Sequence, residues 1–242
     1  MSDWLDGFYD EDTTRVSIAA RTAETPARLV PTARISKAYI GIDPGLSGFL
    51  AVIGADGTLV EARRTPAINN ASGHPGEYDQ DGMLALARSW TGRVALALIE
   101  KQQPFRGQGP QGNFTLGEGY GFWKMALRAA VIPFEEIHPI SWKTQMGIAA
   151  ERTKATGVTK AYDEAYARRK TDPTAKAFCM EVEKARRSRQ KDAKGRAVAK
   201  AQSLFPGYDL RATEGSSVLS PDKAESLLLA TLARRRHLGN PD

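Results

Sequence analysis

Four carboxylate residues stand at points where a predicted strand ends or a predicted helix begins. Asp43 and Glu100 each follow a short apolar run, and Asp222 and Glu225 lie three residues apart at a helix start. Carboxylates that share a buried site lose hydration and repel one another, so they require cations nearby. Hard divalent ions take oxygen ligands. The four residues therefore predict two Mg²⁺ or Mn²⁺ ions, which could clamp the attacking water and leaving oxygen of a phosphodiester.

The stretch 39–53 positions the first carboxylate. It reads as a buried strand ending at Asp43, a tight Pro-Gly turn and a second strand, and the Asp56-Gly57 turn then leads to a third strand at 58–62. Gly45 and Gly48 leave room for an anionic ligand, or for a metal with its phosphate, to approach the backbone. The alternative is a glycine-rich turn that Asp43 merely caps.

The second carboxylate ends a near-continuous apolar run at 93–99, the pattern of a central strand covered on both faces. Ligands gather at strand ends in open α/β sheets, so Glu100 and Asp43 are predicted to point into one site. An ion pair between Glu100 and Lys101 is the alternative. It is a weak one, because adjacent residues of a strand face opposite sides.

The last two carboxylates open the terminal helix. Ser220 as N-cap and Pro221 at the first helical position form a strong helix start, which puts Asp222 and Glu225 on one face of the first turn. Acids there are also favoured by the helix dipole without any chemistry. The presence of Asp43 and Glu100 argues for the functional interpretation.

The remaining elements are predicted from periodicity and turn residues. We expect a loop at 65–77, helices at 79–90, 120–130 and from Ser141 onward, a loop at 104–119, and a short strand at 132–139. Segment 149–192 reads as helices broken at Asp172-Pro173, hence a helical hairpin, and a further helix is predicted at 194–204.

Charge and composition narrow the function. The net charge is +6, and residues 149–200 alone hold 15 Lys and Arg against 7 Asp and Glu, which suggests a polyanionic partner such as nucleic acid. A solvated charged helix or a protein-binding surface is the alternative. One cysteine excludes an internal disulfide and three scattered histidines argue against zinc. The acidic N-terminus and the lack of a bilayer-length apolar run predict a cytoplasmic protein without membrane partners.

Six segments in order carry a resemblance to a known family. They are IGIDPGLSGFLAV at 40–52, IEKQQPF at 99–105, GYGFW at 119–123, PISWK at 139–143, LFPGYDL at 204–210 and DKAESLLLA at 222–230. The chain from about 39 to 236 resembles the RuvC-type Holliday junction resolvases, and within them the phage and plant-organelle branch.

The resemblance implies a ribonuclease H-like α/β fold, a mixed five-stranded sheet flanked by helices. Residues 1–37, polar and without sustained periodicity, are predicted to be an N-terminal extension, partly disordered. The nuclease domain is expected at 38–242, with a basic helical insertion at 149–190. The resemblance assigns Asp43, Glu100, Asp222 and Glu225 to catalysis and metal binding. DNA contacts are expected at Lys101, Phe105, Arg106, Lys143 and Lys223, with Phe105 stacking or prying at the crossover.

The implied activity is Mg²⁺-dependent resolution of four-way junctions by a homodimer that makes paired symmetric nicks and leaves 5′-phosphate and 3′-hydroxyl ends. The extension and the insertion depart from the family pattern. Three alternatives remain: a branched-DNA or flap endonuclease of the same fold in phage genome processing, a sugar-kinase-like ATPase, and a non-catalytic DNA-binding subunit. The ATPase would need a second glycine-rich phosphate loop and a longer chain, and the four intact acids argue against the non-catalytic subunit.

Overall fold

The computed structural model describes residues 37–104, 109–149, 156–211, 213 and 216–239. The predicted extension at 1–37 lies almost wholly outside the described residues, as do Phe105 and Arg106. All the described elements belong to the unit Ile35–Asp242. No described helix combines the length and apolar character needed to cross a bilayer.

Five strands form the main sheet. These are β1 (Ala38–Ile42), β2 (Phe49–Gly54), β3 (Leu59–Arg64), β6 (Val94–Glu100) and β7 (Phe134–Ile137), in the order β3-β2-β1-β6-β7. Strands β1, β2 and β3 pair antiparallel, whereas β6 runs parallel to both β1 and β7. This mixed sheet, with helices packed against it, confirms the predicted ribonuclease H-like fold class.

Apolar layers of helices cover both faces of the sheet. As a result, β1 and β2 are buried along their whole length. On one face lie α1 (Gln80–Arg88) and α2 (Gly109–Ala129), through Met83, Ala87, Trp123 and Leu127. On the other face lie α3 (Pro139–Gln145), the end of α5 (Pro173–Leu204) and α6 (Pro221–Leu238). Helix α6 is therefore a core element, buried continuously from Ala224 to Ala233.

Two segments predicted as loops are ordered elements. Within 65–77, β4 (Ala67–Asn69) pairs with β5 (Pro75–Tyr78) as a separate two-stranded sheet. Helix α2 begins at Gly109, within the predicted loop 104–119. Gly119 lies inside this helix because the Tyr78 ring packs where a side chain would go: a Cβ there would lie 2.2 Å from Tyr78 Cζ. Tertiary packing thus overrides the low helix propensity of glycine.

The predicted helical hairpin is present. Helix α4 (Thr156–Arg168) and α5 are separated at Asp172-Pro173, where the Asp172 side chain accepts hydrogen bonds from the N–H groups of Thr174 and Ala175. The separate helix predicted at 194–204 is wrong, because α5 runs without interruption to Leu204. Ala197 and Ala201 of this last part pack in the main core, which supports the helix beyond the hairpin.

Candidate active site

Two of the four predicted carboxylates lie side by side at the carboxyl edge of the sheet. Ile42 of β1 is in register with Ile99 of β6, so the residues that follow them, Asp43 and Glu100, are neighbours. The Asp43 backbone N–H donates to the Phe49 carbonyl, and its side chain accepts from the Gly45 N–H at 3.3 Å. The Pro-Gly turn therefore holds this carboxylate at the strand end.

Helix α6 supplies the other two carboxylates. Ser220 caps the helix by accepting from the Lys223 N–H, and Pro221 occupies the first turn, as predicted. The helix lies directly on β1 at Gly41, where a Cβ would stand 2.1 Å from the Ser226 carbonyl oxygen. Only glycine permits this approach, which buries Glu225 to 5% exposure beside the sheet edge.

The four side chains, hereafter the carboxylate site, act on one another electrostatically. Burial raises the pKa of Asp43 well above its usual range, and the charges of Glu100, Asp222 and Glu225 raise it further. Burial also raises the pKa of Glu100, with Glu225 adding to the rise and Lys143 and the Trp142 N–H opposing it. Opposition to the ionisation of Asp43 and Glu100 is the property expected of a site that cations stabilise.

Two lysines enter the carboxylate site from different helices. Lys143 Nζ of α3 lies 2.9 Å from Glu225 Oε1, and Lys194 Nζ of α5 lies 3.0 Å from Asp222 Oδ1. Burial alone would lower the pKa of Lys194, but Asp222, with Glu225 and Asp43, outweighs that effect, and the pKa of Lys194 is raised. Each lysine therefore forms an ion pair with one carboxylate of α6.

Neutral donors fix the orientation of the remaining carboxylate oxygens. The Trp142 indole N–H donates to Glu100 Oε2 at 2.6 Å, and the Gln102 amide reaches Glu100 Oε1 at 3.5 Å. The Ser47 hydroxyl donates to Asp222 Oδ2 at 3.3 Å, which joins the turn after β1 to the start of α6. Three elements distant in the chain are thus tied to one site.

The donor set suits a hard divalent cation, since it offers carboxylate oxygens from three rigid elements. Among the residues that the structure describes, no three acidic, His or Cys side chains already meet as a group of metal ligands. Asp222 and Glu225 instead bond to lysine nitrogens. A metal held by all four carboxylates would therefore require Lys143 and Lys194 to withdraw from them.

The predicted DNA contacts fall in different surroundings. Lys143 lies in the carboxylate site, as described. Lys223 Nζ donates to the Asp209 and Arg211 carbonyls at 2.8 and 3.1 Å, and therefore holds the segment that precedes α6. Lys101 is half-buried, with its backbone N–H bonded to the Ile137 carbonyl. Phe105 and Arg106 lie outside the described residues.

Three polar partners of the site were missed by the sequence reasoning: Ser47, Trp142 and Lys194. Ser47 and Trp142 lie within the segments that carry the resemblance, so the sequence could have identified them as candidates for the site. Lys194 lies in the lysine- and arginine-rich segment 149–200, 28 residues before Asp222. Nothing in its local pattern distinguishes it from the other lysines there, because only the uninterrupted course of α5 brings it to the site.

Comparisons with known proteins give a likeness in structure only. No protein-family model matches the chain, and a search of curated proteins gives no match. Among solved structures, Thermus thermophilus RuvC in complex with Holliday junction substrate is 13% identical with a TM-score of 0.49, and covers 84% of this chain and 97% of its own. A second Thermus thermophilus RuvC structure is 14% identical with a TM-score of 0.48, at the same coverage.

Proposed function

We propose that this chain is a divalent-metal-dependent endonuclease that cuts branched DNA, with the four-way junction as its substrate. The observation that carries the proposal is that Asp43 lies at the sheet edge within electrostatic reach of Glu100, Asp222 and Glu225, each of which opposes its ionisation. A buried carboxylate such as Asp43, whose pKa is raised by burial and by three neighbouring acids, is costly to keep ionised without a cation. A site of this kind is accounted for by a cationic ligand that the fold is built to bind.

Asp43, Glu100, Asp222 and Glu225 would hold Mg²⁺ or Mn²⁺, two ions in the full site. When bound, such ions polarise the phosphodiester and lower the pKa of an attacking water. The protein's own groups fix the ligands: the Trp142 N–H orients Glu100, the Gly45 N–H orients Asp43, and Ser47 orients Asp222. Their role is to keep the carboxylates in place before substrate arrives.

Lys143 and Lys194 supply positive charge where the scissile phosphate would lie. In the structure their ammonium groups neutralise Glu225 and Asp222. On metal binding each could turn from its carboxylate toward a phosphate oxygen, because a lysine stem is flexible and its three donors rotate. Positive groups aimed at developing phosphate charge are a common source of rate enhancement.

The choice of a four-way junction rests on the six ordered segments that resemble junction resolvases. That resemblance also supports the remaining elements of the proposal: a homodimer, paired symmetric nicks, and DNA contacts at Lys101, Phe105, Arg106, Lys143 and Lys223. A branched-DNA or flap endonuclease of phage genome processing would use the same site. The two differ in substrate geometry rather than in chemistry.

A non-catalytic DNA-binding subunit is the second candidate, and the two lysine–carboxylate pairs favour it. A site whose acids are neutralised by Lys143 and Lys194 can be stable without metal. In that case the carboxylates would serve only to anchor α3 and α5 against α6.

The test is nicking of a synthetic four-way junction, a flap and a linear duplex of equal length in Mg²⁺, with Asp43→Asn beside the wild-type chain. Paired symmetric nicks in the junction alone, lost in the variant, are expected. If the flap is cut as well as the junction, the chain is the alternative branched-DNA or flap endonuclease rather than a junction-specific enzyme. Absence of cutting in both Mg²⁺ and Mn²⁺ would contradict the enzyme and leave the binding subunit.

A further inference from the structure

Helix α5 carries a row of basic side chains that runs from the hairpin to the carboxylate site. At 3.6 residues per turn, the positions 176, 180, 184, 187, 191 and 194 fall within an arc of about 80°. Five of them are basic: Lys176, Lys184, Arg187, Lys191 and Lys194. These five residues are here called the basic face.

Acidic residues of the same stretch lie outside this arc. Glu181, Glu183 and Asp192 fall to either side of it by the same periodicity. Glu183 instead accepts a hydrogen bond from the Tyr162 hydroxyl of α4 at 2.8 Å. The separation of charge around the helix makes the basic face a nearly unbroken cationic strip.

The side of α5 opposite the basic face packs against α4. Ala175 and Cys179 are buried against Tyr162 and Ala165 of α4, and Arg186 lies 5.1 Å from the centre of the Tyr162 ring. The basic face therefore points away from α4. Lys176, Lys184, Arg187 and Lys191 are all exposed. None of these four forms an ion pair with a described residue.

One end of the basic face lies in the carboxylate site itself, since Lys194 bonds to Asp222. From there the face extends about 27 Å along the helix to Lys176, at 1.5 Å per residue. That length matches about eight base-pair steps of duplex DNA at 3.4 Å each. The row thus has the length and the charge to lie along a duplex arm that starts at the carboxylate site.

We propose that the basic face of α5 binds the phosphate backbone of a DNA duplex arm and directs it to the carboxylate site. This rests on the proposed function for the identity of the polyanion. Contacts of this kind add affinity without sequence preference and weaken steeply with salt. The insertion would then act as an arm that holds the substrate beyond the reach of the sheet edge.

The test measures binding of a four-way junction by the full chain carrying Asp43→Asn, without divalent metal, at 50 and 200 mM salt. One variant replaces Lys184, Arg187 and Lys191 with glutamine. The matched control replaces Lys160, Arg168 and Lys170 with glutamine, three exposed cations of α4 and the adjoining turn. Both variants lose the same charge from the same hairpin, and circular dichroism checks that both fold.

Three lost phosphate contacts reduce the salt slope by about 2.7, so the fall in affinity between 50 and 200 mM becomes about 40-fold smaller in the basic-face variant. The control keeps the slope of the parent chain. Equal slopes in the two variants would overturn the inference and leave the nuclease proposal standing. A salt slope reduced only in the basic-face variant, together with a wild-type chain that cuts no DNA in Mg²⁺ or Mn²⁺, would support the inference and remove the nuclease. Binding to no DNA would overturn both.

Discussion

The carboxylate site lies among elements of the main core, whereas the α4–α5 hairpin is held by a small apolar cluster of its own. At the site, β1 is wholly buried and α6 touches its backbone at Gly41. The hairpin cluster consists of four buried residues, Tyr162, Ala165, Ala175 and Cys179. One region is built to hold charged groups at fixed positions, and the other to present a charged surface.

Helix α5 belongs to both regions, which shows how the difference is produced. Its distal part packs on α4 through Ala175 and Cys179, and its proximal part packs in the main core through Ala197 and Ala201. Chemistry requires carboxylates placed to within fractions of an ångström. Backbone binding tolerates looser placement, because phosphates repeat along the strand. Substitutions at the carboxylate site should therefore affect cleavage, and substitutions in the hairpin should act locally.

Gly41→Ala should have the largest effect, because its Cβ would collide with the backbone of α6 at Ser226 and Ala230. We expect a loss of about 3 kcal/mol in the free energy of unfolding, the upper range for overpacking, together with loss of cleavage. Gly45→Ala is the control, since its nearest neighbour would be 3.7 Å away. Denaturant unfolding measures the stability of the two variants. Equal stability of the two variants would show that α6 does not depend on this contact.

Asp43→Asn should abolish cleavage while leaving the fold intact. Removing one metal ligand costs several kcal/mol of charge stabilisation, so we expect the rate to fall by more than about 100-fold. Stability should increase, because the asparagine removes a charge that burial and three neighbouring acids oppose. Junction affinity in the absence of metal should not decrease. A variant that cuts normally would remove Asp43 from the site.

Trp142→Phe should weaken the site without dissolving it. The substitution removes the N–H that holds Glu100, and loss of such a supporting bond lowers activity by about 10- to 100-fold. Trp123→Phe is the matched control, because Trp123 is equally buried but its indole N–H has no partner among the described residues. Single-turnover cleavage of the junction distinguishes them. If the two variants lose the same fraction of cleavage activity, the effect comes from packing and not from the hydrogen bond to Glu100.

Tyr162→Phe should have the smallest effect, and one confined to the hairpin. It removes the hydroxyl bond to Glu183, worth about 1 kcal/mol for a partly exposed pair. Hydrogen exchange should become faster in α4 and the distal part of α5, while the amides of β1 and β6 are unchanged. Cleavage should remain at the parental rate. Faster exchange across the sheet would show that the two regions unfold as one.

The fold and the four acids could be predicted because each leaves a local signal. Asp43 and Glu100 follow apolar runs, and Ser220-Pro221 marks the start of α6. The first half of helix α2 could not be predicted, because it is rich in glycine, and the contact that favours glycine at position 119 comes from Tyr78, in another element. Lys194 was missed for a related reason. Its role depends on where a long helix ends in space, which no short pattern encodes.

The most direct measurement of the central claim is a calorimetric titration of the chain with Mn²⁺ in the absence of DNA. The wild-type chain should bind the ion saturably, Asp43→Asn should bind it more weakly, and Lys194→Met more tightly, because that lysine competes for Asp222. Lys191→Met, which removes an exposed lysine of the same helix, should match the wild type. If the wild-type chain takes up no metal, or if Asp43→Asn binds it equally well, the carboxylate site is not a metal site.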